Sequence, residues 1–252
     1  MRLNSSKDQH FLIDKEIIIR MVLEAEVCSQ DSVLDIGAGV GNISAVLIDL
    51  AGNVIAIEKE KMFELELRKI KGLDVEIGDA LAFLKKDMRW NKIVSNIPFQ
   101  LCEPILCILC EKTFEVAVLI VPLSFFVVLG KHPLFSAFFD VEKIIDVPKE
   151  SFSPAPKVKS MMIRLSKRED FDDGRYFVRQ LYLQRDKKLK NALREILIEY
   201  YLLKNVGMSK KEATALLLKL TIPASWFEMK MESLPIRGYE VVGGEMDNLV
   251  GK

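Results

Sequence analysis

The sequence has little that is typical of an exported or membrane-embedded protein. Residues 1–10 are polar and contain no apolar core segment, so they do not predict a secretory signal. The longest apolar run, residues 116–129, is broken by Pro122 and is shorter than the roughly 20 residues that span a bilayer. We therefore expect a cytoplasmic protein without a membrane anchor.

The chain also has few cysteines and no formal net charge. The four cysteines show no disulfide-like distribution, which favours a reducing compartment. Cys102, Cys107 and Cys110 have the spacing of the first three ligands of a plant-type iron–sulfur site. They lie in an apolar helical stretch without glycine, so buried thiols are the favoured interpretation and no metal is expected. Because the formal net charge is zero, nucleic-acid binding would need a local basic surface.

What the sequence does contain is a strand, a glycine loop and a helix in succession. The β-type run Ser32–Ile36 is followed by Gly37, Gly39 and Gly41. Glycines let a ligand approach the backbone, and amides at the helix start face that ligand. A dinucleotide fingerprint needs its third glycine where this chain has Asn42, so the spacing favours S-adenosylmethionine over NAD. A NAD-dependent dehydrogenase is the least favoured alternative.

An acidic residue follows each of the next two predicted strands. Glu58 ends the strand 53–57, roughly 20 residues after the first glycine, where an acid can accept hydrogen bonds from ribose hydroxyls. Asp79 follows the strand 74–77 and could accept a hydrogen bond from an adenine amino group. Either acid alone is typical of a turn or helix cap. At successive strand ends, one bound cofactor explains both.

The segment Asn96-Ile97-Pro98-Phe99 follows a fourth predicted strand, Lys92–Ser95. In open parallel sheets, ligands bind beyond the carboxyl ends of the strands. Pro98 fixes its own φ and biases Ile97 away from helix, which holds Asn96 and Phe99 in an extended arrangement. The alternative is an ordinary strand-to-helix loop.

These features belong to a longer series of motifs in a specific order and spacing. The matching segments are Gln9–Leu12, Asp35–Gly41, Glu58, Gly78–Leu81, Asn96–Phe99, Phe152–Ser160 and Gln184–Leu193. The series resembles the KsgA-type ribosomal RNA adenine N6-dimethyltransferases, and the chain is identified as a divergent member of that family. The resemblance covers nearly the whole chain.

The resemblance implies an α/β fold with a Rossmann-like seven-stranded methyltransferase sheet and a small C-terminal helical domain. Residues 1–166 would form the S-adenosylmethionine-binding domain, and residues 174–252 the RNA-binding domain. Runs at 137–147 and 160–165 predict an antiparallel hairpin at the sheet edge. Asp14 is the expected N-cap of a first helix. Residues 176–182, 188–203 and 209–220 predict helices, with Ser209 as a cap before Glu212. The tail from Glu240 is expected to be weakly ordered.

The resemblance also implies how an adenine would be held. The side-chain carbonyl of Asn96 and the backbone carbonyl of Pro98 would accept the two amine hydrogens, so that orientation supplies much of the rate. The base must leave its stack, and Phe99 and Phe152 would supply the two aromatic walls. Cofactor contacts are implied for Gln9, His10, Leu12, Gly37, Gly39, Gly41, Glu58, Lys59, Asp79, Ala80 and Asn96. No proton-transfer role is assigned to His10.

Basic residues are concentrated in the C-terminal part, and they predict contacts with RNA phosphates. The alternative is a solvated helix face. These residues are Arg175, Arg179, Arg185, Lys187, Lys188, Lys190 and Arg194. We expect a monomer whose partner is ribosomal RNA in a precursor of the small ribosomal subunit.

The chain departs from the family after the predicted strand 114–121. The family carries a polar, basic helix start there, whereas this chain has Pro122-Leu123-Ser124-Phe125-Phe126 and a shortened following loop. We expect S-adenosylmethionine-dependent methylation of adenine N6 in ribosomal RNA, as dimethylation of adjacent adenosines in the small subunit. The alternatives are a non-catalytic ribosome-assembly factor that keeps the fold, and a large-subunit rRNA adenine N6-methyltransferase.

Overall fold

The computed structural model describes residues 10–86, 89–169 and 172–251. These residues form two compact units. The first contains the described residues up to Gly130 together with Phe139–Lys167, and the second contains Lys131–Phe138 together with the described residues from Arg168 onward. Residues 131–138, which lie inside the predicted first domain, therefore pack with the second unit.

The first unit contains a mixed sheet. The strands are β1 Phe11–Leu12, β2 Ser32–Ile36, β3 Asn53–Glu58, β4 Asp74–Ile77, β5 Lys92–Ser95, β6 Val116–Pro122, β7 Phe139–Val147, β8 Phe152–Ser153 and β9 Ser160–Lys167. Within the described residues the sheet has seven strands in the spatial order β4-β3-β2-β5-β6-β9-β7, and β1 pairs separately with β8. The predicted α/β fold with a seven-stranded sheet is confirmed.

Strand direction divides the sheet into two parts. Strands β4, β3, β2, β5 and β6 are parallel, and β9 runs antiparallel between β6 and β7. Every residue of β6 is buried, as expected for a parallel strand that is covered on both faces. The predicted edge hairpin is confirmed, but its first strand begins at Phe139 and not at Ala137. The preceding residues form a helix that starts at Pro133, because the fixed φ of proline suits the first turn of a helix.

Short helices connect the strands of the first unit. They are α1 Lys15–Glu24, α2 Ser44–Leu47, α3 Glu64–Leu67, α4 Ala80–Lys86, α5 Cys102–Leu109 and α6 Leu123–Leu129. The predicted N-cap Asp14 is confirmed, since its carboxylate accepts hydrogen bonds from the amides of Glu16 and Ile17 at 3.0 and 3.4 Å. Cys102 and Cys110 are buried at the two ends of α5, and burial raises the pKa of the Cys102 thiol to about 12. These thiols are therefore inert core groups.

The second unit is helical. Its helices are α7 Pro133–Phe138, α8 Asp173–Leu183, α9 Leu189–Leu203, α10 Lys210–Leu217 and α11 Ile236–Val250. Ser209 and Glu212 form the predicted capping box at the start of α10. Across residues 10–86, 89–169 and 172–251, no helix combines the length and apolar character needed to cross a bilayer.

The prediction of a weakly ordered tail from Glu240 is wrong, because α11 packs against α8. Val242 and Met246 lie one turn apart on α11 and are fully buried. Gly243 lets the two helices approach closely, since a Cβ at this position would come within 2.7 Å of Val178 Cγ2. The apolar stripe has helical spacing, but two central glycines weaken its signal in the sequence.

Candidate active site

A cleft opens at the carboxyl ends of the parallel strands, where β2 lies between β3 and β5. Pairing of β2 with β5 ends at Leu34 and Ile93. Beyond that point the hydroxyl of Ser95 donates to the Ile36 carbonyl at 2.6 Å and accepts from the Ile36 amide at 3.1 Å. This side chain ties the diverging strand ends together, so the residues that follow them face one cleft. The cleft encloses about 1210 Å³ of empty space, its open mouth included.

Most of the predicted site residues line this cleft. Those that do are His10, Leu12, Gly37, Gly39, Glu58, Lys59, Asp79, Ala80, Asn96, Pro98 and Phe99. Gln9 lies outside the described residues. Gly41 and Phe152 are not among the lining residues, whereas Phe11, Asp35 and Phe63 line the cleft without having been predicted.

The glycine loop packs closely against two other cleft segments. Gly37 and Gly39 have φ values of +74° and +57°. A Cβ at Gly37 would come within 3.0 Å of Pro98 Cδ, and one at Gly39 within 2.6 Å of Phe11 Cε1. Glycine is therefore required both for the backbone conformation and for the close approach of Pro98 and Phe11.

Gly41 has a structural function. Its φ is +86°, and its amide donates to the Ala38 carbonyl at 2.8 Å, which closes the loop. A Cβ there would come within 2.6 Å of Ile70 Cδ1. A Cβ at Gly41 would thus meet apolar side chains, and the contact of Gly41 with a cofactor stays a prediction.

The two predicted acids differ in their surroundings. Glu58 is only 7% exposed, and its oxygens accept hydrogen bonds from the amides of Gly39 and Glu60, both at 2.8 Å. A carboxylate offers about four lone-pair positions, so both oxygens keep acceptor capacity towards the cleft. Asp79 is exposed and accepts from the Ala82 amide at 2.9 Å, as a cap of α4. Each acid thus stabilises the local backbone and also lines the cleft.

Asp35, near the end of β2, is a buried acid for which the sequence predicts no role. Burial raises the pKa of its carboxyl to about 7; the hydrogen bond from Ser44 opposes this shift and the charge of Glu58 adds to it. The Ser44 hydroxyl donates to Asp35 at 2.7 Å. The sequence signal for this residue is an acid in an otherwise apolar strand, two positions before the first glycine of the loop.

Asn96 has one satisfied and one unsatisfied side-chain atom. Its Nδ2 donates to the His10 carbonyl at 2.8 Å, and this bond fixes the amide orientation because a carbonyl oxygen cannot donate. The opposite atom, Oδ1, is buried and accepts no hydrogen bond among the residues that the structure describes. A buried polar atom without a partner costs roughly 1–3 kcal/mol. Asn96 therefore holds an acceptor ready for a ligand that donates a hydrogen.

Comparison with known proteins identifies the kind of protein that carries this site. The sequence of this chain matches the family described as ribosomal RNA adenine dimethylase over residues 1–214. The chain belongs to the ribosomal RNA adenine dimethylase family. The predicted family and the predicted class of enzyme, an rRNA adenine methyltransferase, are thereby confirmed.

Curated relatives and solved structures agree with this assignment. The probable ribosomal RNA small subunit methyltransferase A of Methanosarcina mazei is 35% identical, over 74% of this chain and 75% of the relative. The protein of the same name from Methanococcus maripaludis strain C7 is 32% identical, over 82% of this chain and 88% of the relative. A dimethyladenosine transferase from Plasmodium falciparum superimposes with a TM-score of 0.60 at 23% identity, over 96% of this chain and 98% of that one. The 23S rRNA methyltransferase ErmE superimposes with a TM-score of 0.58 at 20% identity, over 94% of this chain and 99% of that one. Both structures show the shared fold.

In this adenine dimethylase, Phe99 lines the cleft and begins a 3-10 turn, Phe99–Leu101. The Pro98 carbonyl accepts from the Leu101 amide at 2.8 Å, so one of its two lone pairs is already used by that turn. No hydrogen bond to the Ile97 carbonyl is formed within the described part of the chain. The predicted acceptor at Pro98 is thus only half available.

Phe152 is buried in this structure. The residue lies opposite Leu12 in the pairing of β8 with β1, and its side chain is 3% exposed. It belongs to a buried apolar cluster that includes Leu12 and Met162. Its role as the second aromatic wall stays a prediction.

The predicted basic residues of the second unit are partly neutralised. Lys187 forms an ion pair with Glu195, and Lys188 and Lys190 both contact Glu228, at 3.0 and 2.5 Å. Basic side chains outside these ion pairs also contact other residues of the unit. The guanidinium of Arg185, for example, lies 4.5 Å from the centre of the Tyr182 ring. Glu228 follows Lys190 by 38 residues in the chain, so its pairing could not be read from local charge patterning.

Proposed function

We propose that the protein transfers methyl groups from S-adenosylmethionine to adenine N6 of ribosomal RNA, dimethylating two adjacent adenosines of the small subunit. The observation that carries the proposal is the buried, unpartnered Oδ1 of Asn96 in the cleft. An exocyclic amine is the hydrogen-bond donor that such an acceptor requires.

The cleft fits the cofactor chemically. Gly37 and Gly39 line the cleft and have no side chains, so a ligand can approach their backbone. Glu58 would accept from ribose hydroxyls and Asp79 from an adenine amino group. When bound, S-adenosylmethionine supplies a methyl group on a positively charged sulfur.

The chain's own residues orient the acceptor amine. The lone pair of that amine is delocalised into the adenine ring, which makes the nitrogen a poor nucleophile. Asn96 Oδ1 accepts one amine hydrogen, and the second lone pair of the Pro98 carbonyl, or the Ile97 carbonyl, accepts the other. This arrangement directs the nitrogen lone pair towards the methyl group. Orientation supplies much of the rate, and the surplus proton leaves to solvent after transfer.

The test is transfer of labelled methyl groups to pre-small-subunit particles. We expect the wild-type protein to label them and Asn96→Ala to lose most of this activity while it stays folded. Asn248→Ala is the control, because this exposed residue of α11 does not line the cleft. Unlabelled particles with the wild-type protein, or equal labelling by Asn96→Ala, would reject the proposal.

We also infer a cytoplasmic, monomeric protein whose second unit contacts ribosomal RNA. The proposed substrate is a ribosomal precursor, and exposed lysines of α9 and its lead-in could contact phosphates. Mapping the modified nucleotides by mass spectrometry separates small-subunit from large-subunit methylation. Calorimetry with S-adenosylmethionine separates an enzyme from a non-catalytic assembly factor, since the latter would bind RNA without cofactor.

A further inference from the structure

We infer that Asn42 is a positioning residue that acts on Asn96 through the backbone segment His10–Leu12, which we call the strap. This inference rests on the proposed function. Asn42 Nδ2 donates to the Leu12 carbonyl at 2.7 Å. Asn96 Nδ2 donates to the His10 carbonyl, at the other end of the strap, at 2.8 Å. Both asparagines line the cleft.

The strap has different partners on its two edges. On one edge β1 pairs with β8, and the amide of Ile13 donates to the Ser151 carbonyl at 2.8 Å. Along an extended strand, the N–H and C=O groups of successive residues point to opposite edges. The carbonyls of His10 and Leu12 therefore point away from the edge that Ile13 uses. Within the described residues β1 has no second neighbouring strand, so the two asparagine side chains bond this other edge.

Asn42 connects the strap to the glycine loop. It directly follows Gly41, at the position where a dinucleotide fingerprint has its third glycine. The strap also contacts this loop through Phe11, because a Cβ at Gly39 would come within 2.6 Å of Phe11 Cε1. The loop follows β2 and Asn96 follows β5, and these two strands are neighbours in the sheet. The strap is therefore bonded to the residues that follow two adjacent strands.

The bond from Asn42 matters for the reaction because the strap sets the orientation of the Asn96 amide. The His10 carbonyl accepts from Nδ2, so that Oδ1 is the atom left for the amine. A half-turn of the amide would exchange the two atoms and present N–H groups to an amine that is itself a donor. A His10 carbonyl held in place disfavours this half-turn. Asn42 thus acts on the acceptor Oδ1 through the strap.

Amide hydrogen exchange tests the strap without substrate or cofactor. Asn42→Ala should speed the exchange of residues 10–14 by about 2- to 12-fold, which corresponds to the net contribution of one hydrogen bond. Asn53→Ala is the matched control, because the Asn53 side chain also donates one hydrogen bond, to Ser32 Oγ at 2.9 Å, and does not line the cleft. The control should leave this exchange unchanged.

Urea unfolding shows whether each variant is folded. Asn42→Asp keeps the size of the side chain but not the donor, and it replaces the alanine variant if that variant does not fold. Wild-type exchange of residues 10–14 in a folded Asn42 variant would overturn the inference. An equal increase in Asn53→Ala would overturn it too, since the effect would then be a general loss of stability.

A double-mutant cycle tests the link to Asn96. We expect Asn42→Ala to lower kcat, at saturating RNA and cofactor, by about 10-fold in the wild-type background. In the Asn96→Ala background the same substitution should lower kcat by less than about 2-fold, because the amide that the strap orients is gone. Equal factors in the two backgrounds would overturn the inference while the proposed function stands. A wild-type protein that does not methylate RNA would overturn the proposed function, and the exchange experiment would still decide whether Asn42 holds the strap.

Discussion

The side-chain amide of Asn96 donates a 2.8 Å hydrogen bond to the backbone carbonyl of His10, a residue 86 positions earlier in the chain. The bond joins the segment after β5 to the segment that precedes β1. The other polar atom of the Asn96 side chain, Oδ1, is buried and has no hydrogen-bond partner among the described residues. A buried acceptor without a partner lowers the stability of the folded protein in the absence of a ligand.

Asn96→Ala should therefore affect activity far more than stability. We expect kcat to fall by about 100-fold or more, as when one preorganised hydrogen-bonding group is removed from an active site. The free energy of unfolding should change by less than about 1 kcal/mol, since the lost bond to His10 is offset by removal of an unsatisfied oxygen. Methylation assays and urea unfolding check both values. A loss of several kcal/mol would show that Asn96 is mainly structural.

Asp35 should make stability depend on pH. Burial raises the pKa of its carboxyl from 3.8 to about 7 in the folded protein. The folded state therefore keeps a proton that the unfolded chain has released, and the stabilisation is lost as the pH rises from about 4 through 7. The loss is at most about 4 kcal/mol.

Asp35→Asn should remove this dependence, because asparagine can still accept from Ser44 and does not titrate. Urea unfolding at about pH 5 and pH 8 measures the difference between the two proteins. The stability of the wild type relative to the variant should fall between these conditions. Parallel pH profiles would mean that Asp35 is ionised in the folded protein across this range.

Gly39→Ala should weaken both the fold and cofactor binding. The new Cβ would come within 2.6 Å of the Phe11 ring, at a residue with φ of +57°. We expect a destabilisation of about 1–3 kcal/mol from strain and overpacking. The double variant Gly39→Ala/Phe11→Leu should recover part of it, because the clash is with a side chain.

Gly244→Ala is the control for that experiment, since nothing lies within 4 Å of a Cβ there and the residue lies inside α11. It should raise the free energy of unfolding by about 0.5–1 kcal/mol through helix propensity. Thermal unfolding of both alanine variants gives the comparison. An equal effect at the two positions would contradict the predicted contact between Phe11 and the glycine loop.

Glu228→Gln should strengthen RNA binding by the second unit. The carboxylate contacts both Lys188 and Lys190, and the substitution releases two cations for phosphates. These pairs are largely exposed, so stability should change by less than about 1 kcal/mol. The Kd of an rRNA fragment, measured over a salt series, should fall at low salt with a steeper salt dependence. An unchanged Kd would argue that this cluster does not contact RNA.

Much of the fold is determined by short-range patterns in the sequence. The strands Ser32–Ile36 and Lys92–Ser95 and the cap at Asp14 occur where they are predicted, because periodicity and capping depend on neighbouring residues. The motif spacing also brings Gly37, Glu58 and Asn96 to one cleft, since the carboxyl ends of parallel strands meet at one edge of the sheet.

The direction and pairing of individual side chains were decided only by the tertiary structure. The sequence places Phe152 in a motif, but packing of β8 on β1 turns its ring into the core. It implies a cofactor contact for His10, but only the tertiary structure brings the Nδ1 of this residue within 2.8 Å of the Pro154 carbonyl oxygen. The burial of Asp35 likewise depends on groups far apart in the chain. Such contacts follow from the packing of whole elements, which no local pattern encodes.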